Sequence, residues 1–360
     1  MIFLGDIAIP DKSASEILQR AILENSKVFA GKRIICNLEG LIYDGPVPEV
    51  NEPVLYNHSS VLSIFGQDRK HVFCLANNHI LDMPGQYETT RRMIIEEGFI
   101  CGGAGRSQEA SEKPIIYTED SKTYAIFNYC WDFLLYNHNN PRSDIYVAEL
   151  DEEDLIEQVK ALKFSTPEIT ILVYIHWSLD LEKLPFPMYR QFSRALIDAG
   201  VTLVAGTHSH CVQGGEKYKE GYIIYGLGNF FIPDHVYAGG ILRFPEFSKL
   251  TLAFELNEVT NTAVCHWFEY RNLDKQKSLQ YIGSEDFESS KTLLEHSPFR
   301  EMNDMEYIRY YKSNRRKKIL IPVYRDYKKK KLNSFYTRIL ISRAKLAHLM
   351  ARLHIIKWQN

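Results

Sequence analysis

The chain has 360 residues, and its 45% apolar and 24% charged residues are ordinary proportions for a folded, globular protein. These values exclude global disorder, and no apolar run is long enough to span a bilayer. The net charge of −2 is unevenly distributed, because residues 310–360 hold fifteen basic residues and one acidic residue. Residues 1–309 therefore carry a net charge of −16. Such an uneven distribution of charge usually indicates that the two parts of a chain have different tasks or present different surfaces.

The amino-terminal sequence MIFLGDIAIP predicts a buried strand followed by a turn. It has no basic segment ahead of a long apolar segment, so it does not resemble a secretion signal. The six cysteines are scattered and lie mostly in apolar runs, which is typical of reduced, buried thiols rather than a disulfide framework. We therefore expect a cytoplasmic protein with neither a signal peptide nor a transmembrane helix.

Short apolar, β-branched runs alternate with longer helical patterns through the first 270 residues, and this alternation predicts an α/β domain. The predicted strands are 2–4, 33–37, 71–76, 115–117, 124–129, 169–176, 202–206, 222–226 and 249–256. The predicted helices are 13–25, 85–97, 149–163 and 186–199.

Polar residues that could do chemistry follow the ends of several predicted strands. In α/β sheets, ligands bind outside the carboxyl ends of the strands, so we expect these side chains to converge on one edge. They are Asp6, Glu39, Asn78, His79, His176, His208 and His210.

Each of these residues, taken alone, also has a structural explanation. A single acidic residue at a strand end commonly forms a turn, and an asparagine commonly caps a helix. A histidine beside a tryptophan, such as His176, is often a packing residue. The sharpest local signal is GTHSH, in which Gly206 permits a tight turn and two imidazoles could face adjacent metal ions.

Together, two carboxylates, one amide and four imidazoles make a mixed oxygen and nitrogen ligand set. Such a set suits Mn²⁺, Fe or Zn²⁺ bound through oxygen and nitrogen, and it differs from the cysteine ligands of a thiolate zinc site. Two such ions about 3.5–4 Å apart could hold a phosphoryl group and generate a hydroxide at neutral pH.

The order of eight motifs resembles the CapA family of poly-γ-glutamate capsule synthesis proteins, over roughly residues 1–260. The resemblance implies a metallophosphoesterase-like, calcineurin-like fold: a four-layer α/β sandwich of two mixed sheets flanked by helices. The motifs are GD at 5–6, NLEG at 37–40, NNHILD at 77–82, GGAG at 102–105, HWS at 176–178, LIDAG at 196–200, GTHSH at 206–210 and YGLGNFF at 225–231.

The resemblance also implies roles for individual residues. Asp6 and His210 would hold a first metal ion, Glu39 would bridge two ions, and Asn78, His176 and His208 would hold the second. A metal-bridging hydroxide would be the nucleophile, and His79 would act as general acid or as a hydrogen-bond donor to the transition state. Residues that could orient these ligands are Asn37, Asn77 and Asn229, with a turn-forming role as the alternative for Asn229.

Two positions depart from the pattern that is typical of metallophosphoesterases. The position two residues after the first aspartate, usually a histidine, is Ala8, and CapA-like proteins share this feature. The acidic residue that normally follows the HWG motif is here the shorter Asp180. With one imidazole fewer, the first metal site would be weaker.

A domain boundary is expected within 272–291, where strand patterning stops, and it divides the chain into domains 1–271 and 272–360. The second domain is predicted to be a basic, mainly helical extension with basic clusters at 315–318 and 328–331. Its last helix has an apolar stripe at three- and four-residue spacing. The stripe consists of Phe335, Ile339, Leu346, Leu349, Leu353 and Ile356.

Three interpretations of this extension remain open. It could pack on the acidic body, attach to an anionic membrane surface on the inner face, or bind a polyanion. No nucleic-acid recognition motif accompanies the charge, so nucleic acid is not expected as a partner.

The sequence therefore predicts a protein of capsule, poly-γ-glutamate or cell-envelope polysaccharide biosynthesis. We expect a hydrolase that depends on two divalent metal ions and acts on an anionic or polymer-linked substrate. The alternative is a non-catalytic component of a polymer synthesis or export complex, with a structural or vestigial metal site.

Overall fold

The computed structural model describes residues 1–47, 54–66, 71–136, 144–238, 240–273, 276–318 and 320–352. The strands are β1 (Ile2–Ile7), β2 (Ile34–Leu38), β3 (Leu41–Ile42), β4 (Tyr56–Asn57), β5 (Val72–Cys74), β6 (Ile100–Gly102), β7 (Ala104–Gly105), β8 (Ile115–Glu119), β9 (Lys122–Cys130), β10 (Tyr146–Val147), β11 (Thr170–His176), β12 (Val201–Thr207), β13 (Gly215–Tyr218), β14 (Gly221–Ile224), β15 (Asn229–Phe231), β16 (His235–Tyr237), β17 (Gly240–Leu242), β18 (Leu250–Asn257), β19 (Thr262–Leu273) and β20 (Gln276–Asp286).

The helices alternate with these strands in the first two thirds of the chain and dominate after β20. They are α1 (Lys12–Glu24), α2 (Ser26–Phe29), α3 (Tyr87–Glu96), α4 (Gln108–Glu112), α5 (Asp132–Leu135), α6 (Glu152–Ser165), α7 (Pro187–Asp198), α8 (Lys291–Glu295), α9 (Asp304–Asn314) and α10 (Lys330–Arg352). Over the described residues, no helix combines the length and the apolar character needed to cross a membrane.

Two large mixed sheets form the centre of the fold. The first has the strand order β20-β19-β18-β1-β2-β5-β6, and β15 also pairs with β1. The second has the order β13-β14-β12-β11-β9-β8. In the first sheet β1, β2, β5 and β6 run parallel, and in the second β9, β11, β12 and β14 do. Each sheet therefore has a row of carboxyl strand ends along one edge.

Side-chain alternation along the strands places the sheets face to face between helices. On β1, Phe3 joins the buried cluster that also contains Leu172 and Tyr174 of β11, so these faces meet between the sheets. The neighbouring Ile2 and Leu4 belong to the cluster that contains the buried side of α1. The opposite face of β11 packs in the same way against α6 and α7. The predicted four-layer α/β sandwich is confirmed.

Most predicted elements are present, with shifted ends. The first strand continues to Ile7 instead of stopping at residue 4, because Asp6 and Ile7 pair with both β2 and β15. The helix predicted from residue 149 begins at Glu152, since the Asp151 carboxylate accepts hydrogen bonds from the backbone of the first turn and caps it. The helix predicted from residue 85 begins with a 3₁₀ turn before α3.

Strand structure continues past residue 272, into the stretch 272–291 where the strand pattern of the sequence stops. Strands β19 and β20 pair antiparallel across this position and extend the first sheet. Farther along, Phe299, Tyr307 and Tyr311 are buried and belong to the same core cluster as the strands of both sheets. The first sheet and the main core cluster therefore both contain residues from either side of the predicted boundary between domains 1–271 and 272–360. That either part is a separate domain remains a prediction.

Helix α10 contacts the body through a different face from its predicted apolar stripe. Thr337 and Leu340 are buried, and the Tyr324 hydroxyl lies 3.2 Å from the Thr337 hydroxyl. Of the predicted stripe, Phe335, Leu346 and Leu349 are exposed and Ile339 is half-buried, while Leu353 and Ile356 lie outside the described residues. Periodicity identified the stripe but not the side of the helix that packs.

Candidate metal centre

The carboxyl strand ends of the two sheets meet at one place, and the predicted site residues lie there. Short contacts link all seven of them across the two sheets. Asp6 is near the end of β1, Glu39 follows β2, Asn78 and His79 follow β5, His176 ends β11, and His208 and His210 follow β12.

Glu39 lies at the centre of this group. Its Oε1 atom is 3.7 Å from His79 Nε2, 4.0 Å from His176 Nε2 and 3.9 Å from His210 Nε2. The side chain is fully buried, and within the described part of the chain neither carboxylate oxygen has a hydrogen-bond partner. Burial raises the pKa of Glu39 well above its usual range, and the Asp6 charge adds to this effect. A buried carboxylate without a hydrogen-bond donor, ringed by imidazole nitrogens, fits a bound cation.

A second group of donor atoms surrounds His176. Its Nε2 atom is 2.8 Å from Asn78 Oδ1 and 3.1 Å from His208 Nδ1. Neighbouring ligands of an ion at about 2.1 Å are themselves roughly 3 Å apart, so these spacings fit one ion. Burial lowers the pKa of His176 well below its usual value and that of His208 to about 3. Both imidazoles are therefore neutral at pH 7, the form that binds metals.

Glu39, His208 and His210 also satisfy the distances of a metal site as a trio. One ligand atom from each can be chosen so that all three lie within 4.8 Å of one another. The structure thus brings together a group of side chains able to hold a divalent metal ion.

The Asp6 carboxylate is held between the two loops that carry these ligands. Its Oδ1 accepts a hydrogen bond from Asn37 Nδ2 (2.7 Å), and its Oδ2 accepts one from the His208 backbone N–H (3.1 Å). His210 Nδ1 is 3.7 Å from Oδ2 and 2.7 Å from Asn229 Oδ1. Asn229 therefore turns the other nitrogen of His210, Nε2, towards Glu39.

Two asparagines, Asn37 and Asn77, support the site through hydrogen bonds to Asp6, to each other and to the backbone. Asn77 Nδ2 donates to Asn37 Oδ1 (3.0 Å) and to the Leu38 carbonyl (2.9 Å). Asn77 also caps the 3₁₀ turn that carries His79, since its Oδ1 accepts from the His79 N–H. The capping explanation is thus confirmed for Asn77, and its role in orienting metal ligands stays a prediction.

His79 differs from His176 and His208 because its pKa is raised, and the cause is the neighbouring carboxylate of Asp82. His79 Nδ1 is 2.7 Å from Asp82 Oδ2, which also accepts the Leu55 N–H. Burial alone would lower the pKa of His79, but the charge and hydrogen bond of Asp82 raise it. A raised pKa suits a residue that donates a proton. The sequence analysis missed the role of Asp82, although its i+3 spacing on the NNHILD motif was a usable signal.

Two glycines allow the loops to approach this closely. A Cβ atom on Gly206 would lie 2.1 Å from the Tyr225 carbonyl oxygen and 2.3 Å from Trp177 Nε1. A Cβ atom on Gly103 would lie 2.0 Å from Asn128 Oδ1, which accepts the Ala76 N–H at 2.9 Å. Asn128 was also missed from sequence, where a polar residue within an apolar strand was the available signal.

Comparison with known proteins agrees with this geometry. The model of the family described as bacterial capsule synthesis protein PGA_cap matches residues 1–234. The chain belongs to this family. Its relatives include the capsule biosynthesis protein CapA of Bacillus anthracis, 26% identical over 165 residues, which covers 44% of this chain and 39% of that protein.

A probable polyglutamine synthesis accessory protein of Mycobacterium tuberculosis is 29% identical over 236 residues, which covers 61% of this PGA_cap chain and 60% of that protein. The chain thus spans less than two thirds of the length of either relative. Among solved structures, a phosphatase from Mycoplasma pneumoniae is similar with a TM-score of 0.42 and 12% identity, over 79% of this chain and 91% of that one.

The two departures in this PGA_cap chain have different structural outcomes. Ala8 is buried with Leu55 and Tyr56, and the Tyr237 hydroxyl donates to its carbonyl at 3.1 Å, so its side chain packs in an apolar cluster. Asp180, although shorter than glutamate, reaches the site, and its Oδ1 is 3.1 Å from His208 Nε2. The Asp180 side chain is exposed, and although loss of water around it would raise its pKa, the charges of His208 and Lys317 lower it. Asp180 thus places a carboxylate at the open side of the site.

Proposed function

We propose that this chain is a hydrolase that depends on divalent metal ions and acts on a phosphoester or polymer-linked bond in capsule or cell-envelope polymer synthesis. The observation that carries the proposal is the buried, unpartnered Glu39 carboxylate among three imidazoles. Membership of the PGA_cap family and the capsule synthesis role of a relative support the biosynthetic setting.

The donor set divides into two overlapping groups. Asp6 and His210 would hold one ion, Asn78, His176 and His208 a second, and Glu39 both. Two divalent ions, Mn²⁺, Fe or Zn²⁺, would supply Lewis-acid activation of water and of the scissile bond.

The remaining residues prepare the site for this chemistry. Asn37 and the His208 N–H fix both oxygens of Asp6, and Asn229 fixes the ring of His210. His79, whose pKa Asp82 raises, is positioned to donate a proton to the leaving oxygen.

Metal titration combined with a hydrolysis assay tests the proposal. Metal-free protein is titrated with Mn²⁺ and Zn²⁺ by calorimetry, and the loaded protein is assayed on a generic phosphodiester. We expect His210→Ala to weaken metal binding at least about tenfold and to abolish turnover, since it removes a direct ligand. His266→Ala is the matched control, because His266 is a buried histidine that contacts Glu255 and Ser284 on the far sheet strands. No uptake of divalent metal, or equal turnover by His210→Ala, would refute the proposal.

A non-catalytic, metal-containing component of a polymer synthesis complex is the second candidate, and Ala8 favours it. The apolar packing around Ala8 leaves the first ion one imidazole short of the usual set. Metal binding without turnover on any phosphoester or capsule polymer would select this candidate.

A further inference from the structure

Three basic residues lie on one side of the metal centre, and two come from the C-terminal extension. We call Lys183, Arg316 and Lys317 the basic rim. Arg316 and Lys317 lie outside residues 1–234, which the family model matches. Two of the three rim residues therefore lie in the part of the chain that the family model does not match.

Buried Glu182 fixes the extension against the site. Its side-chain oxygens accept the backbone N–H groups of Arg316 (3.1 Å) and Lys317 (2.9 Å). Its carbonyl accepts hydrogen bonds from Gln213 Nε2 (2.6 Å) and from Cys211 Sγ (3.3 Å), directly after the GTHSH loop. The Arg316 guanidinium also donates from Nη1 to the Leu181 carbonyl (3.4 Å), and the Arg316 side chain is exposed while that of Lys317 is half-buried.

The rim cations are held in place by an aromatic ring and adjoin the site. The Lys183 ammonium and the Arg316 guanidinium each lie 4.5 Å from the centre of the Phe247 ring. Phe244, three residues earlier, places its ring 5.0 Å from that of His210. The Lys317 charge acts on Asp180, whose Oδ1 is 3.1 Å from His208 Nε2.

Among the described residues, no carboxylate forms an ion pair with any of the three rim cations. This is notable on a chain whose residues 1–309 carry a net charge of −16. A site within such an acidic body repels anions, and uncompensated cations at its entrance reverse that effect locally. Lys183 and Arg316 contact an aromatic ring, and Arg316 also a backbone carbonyl, but within the described chain no carboxylate is at ion-pair distance from the three cations, so each can contribute its charge to the binding of an anionic ligand.

We propose that the basic rim binds a second acidic group of the substrate while its reacting bond lies at the metal centre. The substrate would then be a polyanion with acidic groups spaced along it, bound at two points. This inference rests on the proposed function, and it assigns to the extension a part in substrate selection. Carboxylate and phosphate groups both fit the rim, so the two are separated by experiment.

Calorimetry with anionic probes on full-length, metal-free protein tests the rim without requiring catalysis. The probes are tripolyphosphate and a short oligoglutamate, each measured at low salt and at about 1 M salt. We expect Arg316→Gln combined with Lys317→Gln to weaken binding of at least one probe roughly fivefold at low salt, and this difference to vanish at high salt. The probe that loses affinity identifies the acidic group.

Lys328→Gln combined with Lys329→Gln is the matched control, since it removes two charges elsewhere in the same extension. Lys328 lies over the Tyr327 ring, and Lys329 contributes a backbone hydrogen bond to Asp326. An equal loss in the control pair, or unchanged binding of both probes in the rim pair, would overturn the inference. A protein that hydrolyses no phosphoester but shows the rim effect would refute the proposed function alone.

Discussion

At the scale of single residues, the site is organised around a carboxylate that the protein itself leaves unsatisfied. Glu39 has no hydrogen-bond donor within the described residues, whereas Asp6 has two. Burying a carboxylate in this way is costly unless a cation compensates it. The contrast indicates that Asp6 is oriented by the protein and that Glu39 is left free for ions.

Glu39→Gln should therefore have opposite effects on stability in the metal-free and metal-loaded protein. In the metal-free protein at pH 7, wild-type Glu39 either buries a carboxylate charge or takes up a proton. The substitution removes this cost, and we expect the free energy of unfolding to rise by about 1 kcal/mol or more. With metal, the variant loses a bridging ligand and should be less stable than wild type. Chemical denaturation with and without a chelator measures both, and destabilisation in the metal-free state would contradict the expectation.

The same substitution has a defined pH dependence in metal-free protein. The pKa of Glu39 is higher in the folded state than its ordinary value of 4.5, so the folded state binds the proton more tightly. Its contribution to stability is thus fully present below pH 4.5 and is lost as pH rises through the folded-state pKa. The advantage of the variant over wild type should grow as pH rises from 4.5 towards 7, and Glu255→Gln, outside the site, should not show this pattern.

The sequence was sufficient to find the ligand candidates because each one lies just at or after the end of a buried strand. It was insufficient for the groups that orient them. Asp82 acts on His79, and Asn128 holds the loop before Asn77, through contacts that exist only once both sheets are packed. A pairing between strand ends follows from topology, whereas the choice of hydrogen-bond partner depends on atomic positions.

At the scale of elements, the two strands after residue 256 were not predicted, and β20 shows one reason. It is an edge strand, and of its side chains only Leu279 is buried. Its sequence is therefore mostly polar, and the alternation that reveals a half-buried strand is weak. Strand β19 was also not predicted, although it has alternate side chains such as Cys265 and Trp267 in the core between the sheets.

Helix α10 keeps an exposed apolar stripe between basic residues. Phe335 is 57% exposed and Leu346 and Leu349 are each 53% exposed, while Arg338 and Arg343 are exposed alongside. The opposite side of the helix contacts the body, and Lys330 pairs with Asp151. Helix α10 thus packs on the acidic body through one side, and its apolar stripe remains exposed on the other.

We propose that this stripe attaches the protein to an anionic bilayer surface, to which both its apolar and its basic residues are complementary. The full chain should sediment with vesicles that contain phosphatidylglycerol and much less with neutral vesicles. Phe335→Ser combined with Leu346→Ser should reduce this binding several-fold, whereas Met305→Ser, at an exposed apolar residue of α9, should not. Equal sedimentation of the stripe variant and wild type would refute membrane attachment through α10.

At the scale of the whole molecule, the segment after β20 closes the second sheet rather than forming a separate unit. Arg190 of α7 pairs with Glu216 of β13, both buried, and donates to the carbonyl of Met302 at 2.6 Å. The Tyr307 hydroxyl donates to the Pro185 carbonyl at 2.7 Å. Removing the segment would leave donors of a buried guanidinium without partners, which is a costly change.

Two truncations separate the closing segment from α10. A chain of residues 1–273 lacks β20 and the Arg300 and Met302 carbonyls that accept hydrogen bonds from Arg190, and we expect it to show no cooperative unfolding transition and no metal binding. A chain of residues 1–329 loses only α10, whose buried contacts are few, and it should fold with a lower melting temperature and retain the metal centre. Calorimetry on each measures this directly. A 1–273 chain that melts like the full protein would establish an independent first domain and show that the closing segment is dispensable.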